Sequence, residues 1–548
     1  MNNYEFNTKS TYYVPPQAPK NRKILNMNKK DLSFLLAFFA SIFIFIDFAV
    51  MHGFNSGFTI SFFILFVVFT AYLWNKSIKV SAFSYICGIL SLAGAATFTL
   101  SRDIFVNFIM VFLVTALFSI YICGISDTFR NNEGSFKMLG DLICGTIISP
   151  FTNISDVNYS LNKSISKNKR LLYVIIGFAV SVPVLLVIIP LLVSSDAAFQ
   201  GLINTIARNI GIYIADAFIS ILFIPYVFSY AFSKKNNLKT GSEVFAKSKK
   251  SFRFSPSAVS TTFLCVISVT YLVYLFSQLA YFFSAFSGIL PEGYEYTASV
   301  YARRGFFEMF AICVINIAII SLTNIATKRD GANKISKPLK AAEFFISMFS
   351  IVLLTTAMSK MSLNIEIFGL SKYRLLVSIF MVMLLVIILF FVIHIFFPKV
   401  KYMQPIIIFC SVLFIVCAFA DMDSVVAKYN VNAYSNNEIE TVDVSYLNNL
   451  SDSAVPYIIE LANDKNEEVA QQAKNCILYR VEYDYGENFT LSENGVLECN
   501  GIGDLREFNF VKKLSNKMIC DYYNSLPEDM RNIHNAYSYD EDYVYGEY

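Results

Sequence analysis

Charged side chains are scarce. Asp, Glu, Lys and Arg supply 16% of the 548 residues, where soluble domains carry about a quarter. A soluble chain of this length would also divide into several domains with polar surfaces, so composition excludes an ordinary soluble enzyme. Proline is low, at 14, beside 54 Phe and 33 Tyr, and that excludes a disordered or low-complexity chain. The three histidines, His52, His394 and His534, neither pair up nor form H-E-x-x-H, so no zinc site is expected. No G-x-x-x-x-G-K-[ST] loop occurs, so the chain encodes no ATP motor, and no cofactor is expected. Lys and Arg are dispersed through short loops instead of forming a basic stripe, which argues against nucleic acid as a partner.

What is abundant is apolar. Hydrophobic residues make up 55% of the chain and the mean hydropathy is +0.51. A membrane helix needs about 20 mostly apolar residues, and eleven runs approach that length. They are Leu32–Met51, Gly57–Trp74, Val80–Leu100, Ile104–Cys123, Leu171–Val193, Ile212–Phe232, Ala258–Phe286, Phe306–Ala326, Ala341–Met358, Leu375–Phe397 and Met403–Phe419. The seventh is long, and the ninth and eleventh are short. A weaker run, Leu139–Phe151, contains Asp141 and Pro150 and reads as interfacial or re-entrant. The expected fold is an all-α polytopic membrane protein of about eleven transmembrane helices, with a small, mainly helical, extracytoplasmic C-terminal domain.

The overall charge of +3 conceals an asymmetry. Residues 1–420 hold 35 basic and 17 acidic groups, and residues 421–548 hold 9 and 24. With an inside N-terminus, the tail and the even-numbered loops carry 28 basic residues, and the opposite loops carry seven. Basic loops stay in the cytoplasm. This bias puts the N-terminus and loops 124–170, 233–257 and 327–340 inside, and the acidic domain outside. The chain should sit in a bacterial plasma membrane, with the lipid bilayer as its first partner.

Residues 1–30 read as a disordered cytoplasmic tail and residues 31–420 as the membrane domain. Residues 421–548 form the outer domain, whose first segment, 421–447, is expected to have little regular structure. A capped helix from Ser451 to Ala462 should follow, then helices over Asn466–Tyr479 and Asp504–Leu526, with a turn-rich or short-strand segment at Phe489–Gly501 and a disordered end over Tyr537–Tyr548. Cys476, Cys499 and Cys520 lie here. Two of them can pair, or all three can stay as buried thiols.

Ionisable groups inside apolar runs are costly and mark candidate sites. Asp47 lies about 7 Å inside the outer end of the first span and Asp216 about 6 Å inside that of the sixth, at 1.5 Å per residue. Glu308 opens the eighth. Arg102, Asp103, Arg208, Arg303, Arg304, Glu366, Arg374, Asp421 and Asp423 fall at the same level. Together they suggest a polar chamber open to the outside; the plainer reading is local pairing at helix ends. Tyr301, Arg304, Glu308 and Asn316 recur at helical spacing, and Asn316, near mid-membrane, needs a hydrogen-bond partner on another helix. Arg303 is five positions from Glu308 and cannot share its face, so it should seek a carboxylate on another helix.

The stretch Leu290-Pro-Glu-Gly-Tyr-Glu-Tyr with Tyr301-Ala-Arg-Arg-Gly-Phe-Phe-Glu308 resembles a bacterial membrane-protein family known as domain of unknown function 4173, related to 4153. Phe368-Gly-Leu-Ser-Lys-Tyr-Arg374, Ala427-Lys-Tyr-Asn-Val431, Val442-Asp-Val-Ser-Tyr-Leu447 and Ala454-Val-Pro456 extend the resemblance over roughly residues 170–515. Where that family usually carries an acid or amide, this chain has Arg304. The resemblance implies a multi-pass membrane protein without an assigned activity, and directs attention to Arg303, Glu308 and Arg374.

The favoured function class is binding or sensing, with transport as a variant, of a small polar or lipid-headgroup ligand at an outer-leaflet chamber. Its candidate residues are Arg303, Glu308, Tyr301, Asp47, Asp216 and Arg374. The alternatives are a cell-envelope enzyme acting on a lipid-linked substrate, the less favoured class, and a scaffold that engages another envelope protein through residues 421–548.

Overall fold

The computed structural model describes residues 27–75, 79–100, 103–129, 137–167, 197–236, 254–287, 306–328, 335–398, 400–492, 495–500 and 504–528, and a few isolated positions. The tail before residue 27, Tyr301, Arg303, Arg304, nearly all of the fifth run and the acidic end lie outside the described residues.

The membrane part is all α-helix. Its elements are α1 (Lys29–Phe45, continued as a π-helix over Ile46–Met51), α2 (Ser56–Leu73), α3 (Ala82–Ala96), α4 (Ile104–Ile125), α5 (Lys137–Ile143, then a π-helix over Cys144–Ile148), α6 (Ser149–Lys167), α7 (Ala197–Lys235), α8 (Ser257–Ser287), α9 (Phe306–Ala326), α10 (Lys337–Phe368), α11 (Lys372–Phe396) and α12 (Met403–Phe419). Among the described residues nine helices are long and apolar enough to cross a membrane. They become ten if α12 and the helix after it, bent by 63°, count as one span. Ten of the eleven expected runs fall on described helices, and nearly all of the fifth lies outside the described residues. The ninth run is not short: Lys337 to Phe368 is one 32-residue helix. α5 and α6 are not among the spanning helices, because α6 is too polar. They dock on α7 instead, where the Tyr226 hydroxyl donates to the Thr146 carbonyl at 2.9 Å and Ser229 Oγ to that of Pro150 at 2.9 Å.

Two packed groups make up the bundle. Phe38, Phe58, Phe62, Phe69, Phe98, Met110, Phe118, Phe228 and Phe414 form a continuous core among α1–α4, the end of α7, and α12. A second group, α8–α11, packs around Met309, Cys313, Leu353, Leu354, Ala357 and Met381, with Leu264, Ile320 and Ile346 further along. Lipid solvates apolar side chains as well as protein does, so packing shape and polar contacts must hold such helices together. Asn316, completely buried, shows this: its Oδ1 accepts from the Tyr271 hydroxyl at 2.6 Å and its Nδ2 donates to Ser350 Oγ at 2.9 Å, which ties α8, α9 and α10 together.

The C-terminal domain holds α13 (Met422–Ser435), α14 (Val444–Asn448), α15 (Val455–Leu461), α16 (Glu467–Tyr483), a hairpin of β1 (Phe489–Leu491) and β2 (Leu497–Cys499), and α17 (Phe510–Ser525). The strands pair antiparallel, Phe489 with Cys499, so the domain is mainly but not wholly helical. Cys499 and Cys520 are disulfide-bonded, which ties β2 to α17. The segment expected to be irregular begins with a regular helix, α13. Asp423, Val426, Ala427, Asn430 and Val431 form its buried stripe, and tertiary packing outweighs the weak helix preference of its β-branched residues. In contrast, Asp504–Asn509 is not helical. Asn509 caps α17 by accepting from the Lys512 amide, leaving 504–508 as a loop.

The domain is not a free appendage. Its core includes Leu370 from the α10–α11 turn, packed with Val426, Ala427 and Val431. The Asn430 side chain completes this joint: Nδ2 donates to the Leu370 carbonyl at 2.7 Å and Oδ1 accepts from the Leu370 amide at 2.8 Å. Gly369 has φ +73°, and a Cβ there would collide with Asn430 Oδ1. Asn430→Ala leaves two buried backbone groups of Leu370 without partners, at about 1–3 kcal/mol each. We expect it to lower the thermal midpoint of the detergent-solubilised protein and to make the 369–371 turn accessible to protease.

Candidate functional site

The first span carries its carboxylate on a π-turn. Asp47 lies in Ile46–Met51, a geometry frequent at functional positions. At the end of this turn the His52 ring reaches back, with Nδ1 2.6 Å from the Asp47 carbonyl oxygen. A carbonyl can only accept, so Nδ1 bears the proton, and Nε2 is the acceptor when the ring is neutral.

The 504–508 loop lies on this turn. Arg506 Nη1 is 2.9 and 3.1 Å from the two Asp47 carboxylate oxygens. Its Nε donates to Asp504 Oδ2 at 2.8 Å. This guanidinium holds the Asp504 carboxyl below its ordinary range. Backbone contacts fix the approach: the Gly57 amide donates to the Arg506 carbonyl at 3.1 Å, the Ser56 amide to that of Phe508 at 3.1 Å, and Ser56 Oγ to that of Leu505 at 2.5 Å. Only glycine permits this at position 57, because a Cβ would collide with the Phe48 carbonyl and lie 2.8 Å from that of Arg506.

Asp216 of α7 completes the cluster. It is 0% exposed, and both of its carboxylate oxygens lack a hydrogen-bond partner. Asp47, His52 and Arg506 are all within electrostatic reach. Arg506 is already shared between Asp47 and Asp504 and makes no hydrogen bond to Asp216.

A second cluster centres on Lys372, at the start of α11. Its Nζ is 2.9 Å from Asp103 Oδ2 and 3.2 Å from Asp423 Oδ1. Asp103 Oδ1 caps α4 by accepting from the Phe105 and Val106 amides. Asp423 Oδ2 accepts from the Ser451 amide at 3.0 Å. A cleft of about 520 Å³ opens here, lined by Asp103, Ile104, Phe105, Phe108, Lys372, Asp423 and residues 449–451. Beside it, at the bend between α12 and α13, Asp421 has φ +53° and accepts from Ser453 Oγ at 3.0 Å.

Of the residues singled out from sequence, Asp47 and Asp216 are brought together. Their surroundings are closed: Asp47 is 5% exposed and the 504–508 loop lies over it. Arg374 lies elsewhere and closes the end of α10, donating to the Phe368 carbonyl at 3.2 Å and to that of Gly369 at 2.6 Å. Glu308 is exposed, with Lys360 and Tyr274 in electrostatic reach. Tyr301 and Arg303 are not described. Sequence reasoning passed over Arg506, Asp504, His52 and Lys372. Arg506 had a signal, being one of 9 basic groups among 24 acids in its domain. Among the described residues no group of three His, Cys, Asp or Glu is arranged to hold a metal ion.

Burial pushes the Asp421 carboxyl up to about 6, from an unfolded value of about 3.9. The folded state therefore favours the proton. The stabilisation is full below the unfolded value, falls as pH rises between about 4 and 6, and is gone above. Asp421→Asn keeps the neutral form at every pH. The stability of this variant relative to the parent should rise by roughly 1–3 kcal/mol across that window; thermal unfolding at a series of pH values measures it.

The comparisons with known proteins accord with this architecture. Residues 60–461 match the family described as Domain of unknown function (DUF4153). This corrects the resemblance to family 4173 and moves the matched region from roughly 170–515 towards the N-terminus. No curated protein and no solved structure matches the chain. The Lys372 cluster and Asp216 fall inside the matched region, whereas Asp47, His52, Asp504 and Arg506 fall outside it. The match covers well over half of the chain, which therefore belongs to the bacterial DUF4153 family of multipass membrane proteins.

Proposed function

We propose that this protein binds or senses a small cationic ligand, a primary amine, at the junction of Asp47, His52, Asp216 and Arg506. The observation that carries the reading is Asp216, a fully buried carboxylate without a hydrogen bond, beside a second carboxylate. Two neighbouring buried acids need more positive charge than a guanidinium already shared with Asp504 provides. A proton or a cation supplies the difference. Because Arg506 belongs to the outer domain, a ligand that neutralises Asp47 and Asp216 changes how firmly that domain is held, so binding is reported outside the membrane.

The test is thermal stability of the purified protein titrated with ethanolamine. At 100-fold excess over its dissociation constant, it should stabilise the protein by about 2.7 kcal/mol. Asp216→Asn should abolish this response, yet be more stable than the parent without ligand, because it removes a buried unpaired charge. If ethanolamine does not stabilise the parent and Asp216→Asn unfolds at a lower temperature, Asp216 is a structural group and the reading fails.

The site faces outward in this reading. The 28-to-7 distribution of basic residues and the Cys499–Cys520 disulfide, a bond of oxidising compartments, support an inside N-terminus and an outside C-terminal domain. With the free cysteines replaced, an impermeant thiol reagent on whole cells should label a cysteine introduced at Ser538 and not one at Ser10. The reverse labelling would invert the orientation.

A further inference from the structure

One face of the C-terminal domain has no part in the Asp47–Asp216 junction. Helix α17 buries Ser515, Asn516, Ile519, Cys520, Tyr522 and Tyr523 against its own domain. The opposite face exposes Phe510 and Leu514, with Lys513 and Lys517 between and beyond them. Spacings of three and four put these residues side by side. Leu505, just before the helix, is 68% exposed. Among the described residues Lys513 and Lys517 make no ion pair; Lys513 lies over the Phe508 ring at 5.9 Å. Unpaired lysines beside exposed apolar groups run against the character of a domain with 24 acids and 9 basic residues.

The position of this face identifies what covers it. The carbonyls of Leu505, Arg506 and Phe508 accept from Ser56 and Gly57, the first residues of a membrane-crossing helix. Leu505 is therefore held at the end of a span. Phe510 is two residues from Phe508, at most about 7 Å along the chain, and Leu514 one helical turn further, about 6 Å. Phe510 falls within reach of the headgroup layer, which adds roughly 5–8 Å to each side of the hydrocarbon core, and Leu514 does so with α17 lying along the membrane plane. An amphipathic helix with Phe and Leu on one face and Lys beside them is suited to that layer: the apolar groups enter the acyl boundary and the ammonium groups meet phosphates.

We propose that Leu505, Phe510 and Leu514 insert into the adjacent leaflet, and that Lys513 and Lys517 bind anionic lipid headgroups. α17 is then a lipid-contacting anchor that holds the C-terminal domain down over the membrane helices. The proposal does not rest on the cation-binding reading, and it holds whichever way the chain is oriented.

The experiment uses the full chain with its eight free cysteines replaced and the Cys499–Cys520 bond kept. An NBD probe goes on Leu514→Cys, and separately on Gln472→Cys, an exposed position of α16. Both proteins are reconstituted into phosphatidylcholine vesicles with and without phosphatidylglycerol. The probe at 514 should emit to the blue of the probe at 472 and be quenched severalfold more strongly by a lipid spin-labelled near its headgroup. Phosphatidylglycerol should strengthen that quenching, and Lys513→Gln with Lys517→Gln should remove the gain while leaving the disulfide and thermal midpoint unchanged. Water-like, unquenched emission at 514 in both vesicles overturns the proposal. So does blue-shifted emission that lipid cannot quench, which would mean that protein covers the face. Quenching indifferent to phosphatidylglycerol would overturn the anionic-headgroup assignment.

Discussion

One ammonium group sets where three parts of the molecule meet. Asp103 begins α4 in the first helical group, Lys372 begins α11 in the second, and Asp423 lies in the first turn of the C-terminal domain. Lys372 Nζ bridges the two carboxylates, whose side chains are 3% and 1% exposed. Burying such charges gains little net stability over an apolar contact, but leaving either acid unpaired costs about 3–5 kcal/mol. The pairing therefore acts chiefly against alternatives: any arrangement that separates α4, α11 and α13 strands a buried carboxylate. The neighbouring bonds tighten the constraint. The Lys372 amide donates to the Tyr446 hydroxyl at 2.9 Å, and Arg374, two residues on, closes the end of α10.

The second attachment is of a different kind. At Lys372 the C-terminal domain meets the bundle within the DUF4153 region. At Asp47–Arg506 it meets α1 and α2 through a loop beyond that region, across backbone contacts that only Gly57 admits. The first joint is balanced locally by helix caps and by the Ser451 amide. The second is not, since Asp216 stands beside it without a partner. A polar site that is satisfied explains itself structurally, and one left unsatisfied at full burial calls for a ligand or a proton.

Much of the membrane part was legible because a span needs only length and apolarity. Ten of the eleven apolar runs coincide with described helices, and the demand of Asn316 for a partner across helices was met by Tyr271 and Ser350. The joints were far less legible. Phe368–Arg374 and Ala427–Val431 stood out only as pieces of a resemblance, and their physical meaning is that Gly369, Leu370 and Asn430 are the two halves of one clamp. Asp47 and Asp216 could be flagged by cost alone, but Arg506 is 459 residues from Asp47, and no local pattern encodes such a distance. α13 was missed for a related reason: its buried stripe forms against Leu370, α11, the 452–454 turn and α15, so its helix depends on contacts that local propensity does not contain.

Linkage then constrains the whole arrangement. Arg506 is bonded to Asp47 in the bundle and to Asp504 in its own loop. Any cation or proton that neutralises Asp47 weakens the hold of the bundle on Arg506 and leaves its bonds to Asp504 intact, so the cost is borne at the joint. By reciprocity, whatever lifts the 504–508 loop must raise the affinity of Asp47 and Asp216 for positive charge by the same factor. The Lys372 joint and the Asn430 clamp would hold α13 in place meanwhile, because none of their groups belongs to the 504–508 loop. Any such lifting is thereby confined to the far end of the C-terminal domain, where the loop leads directly into α17.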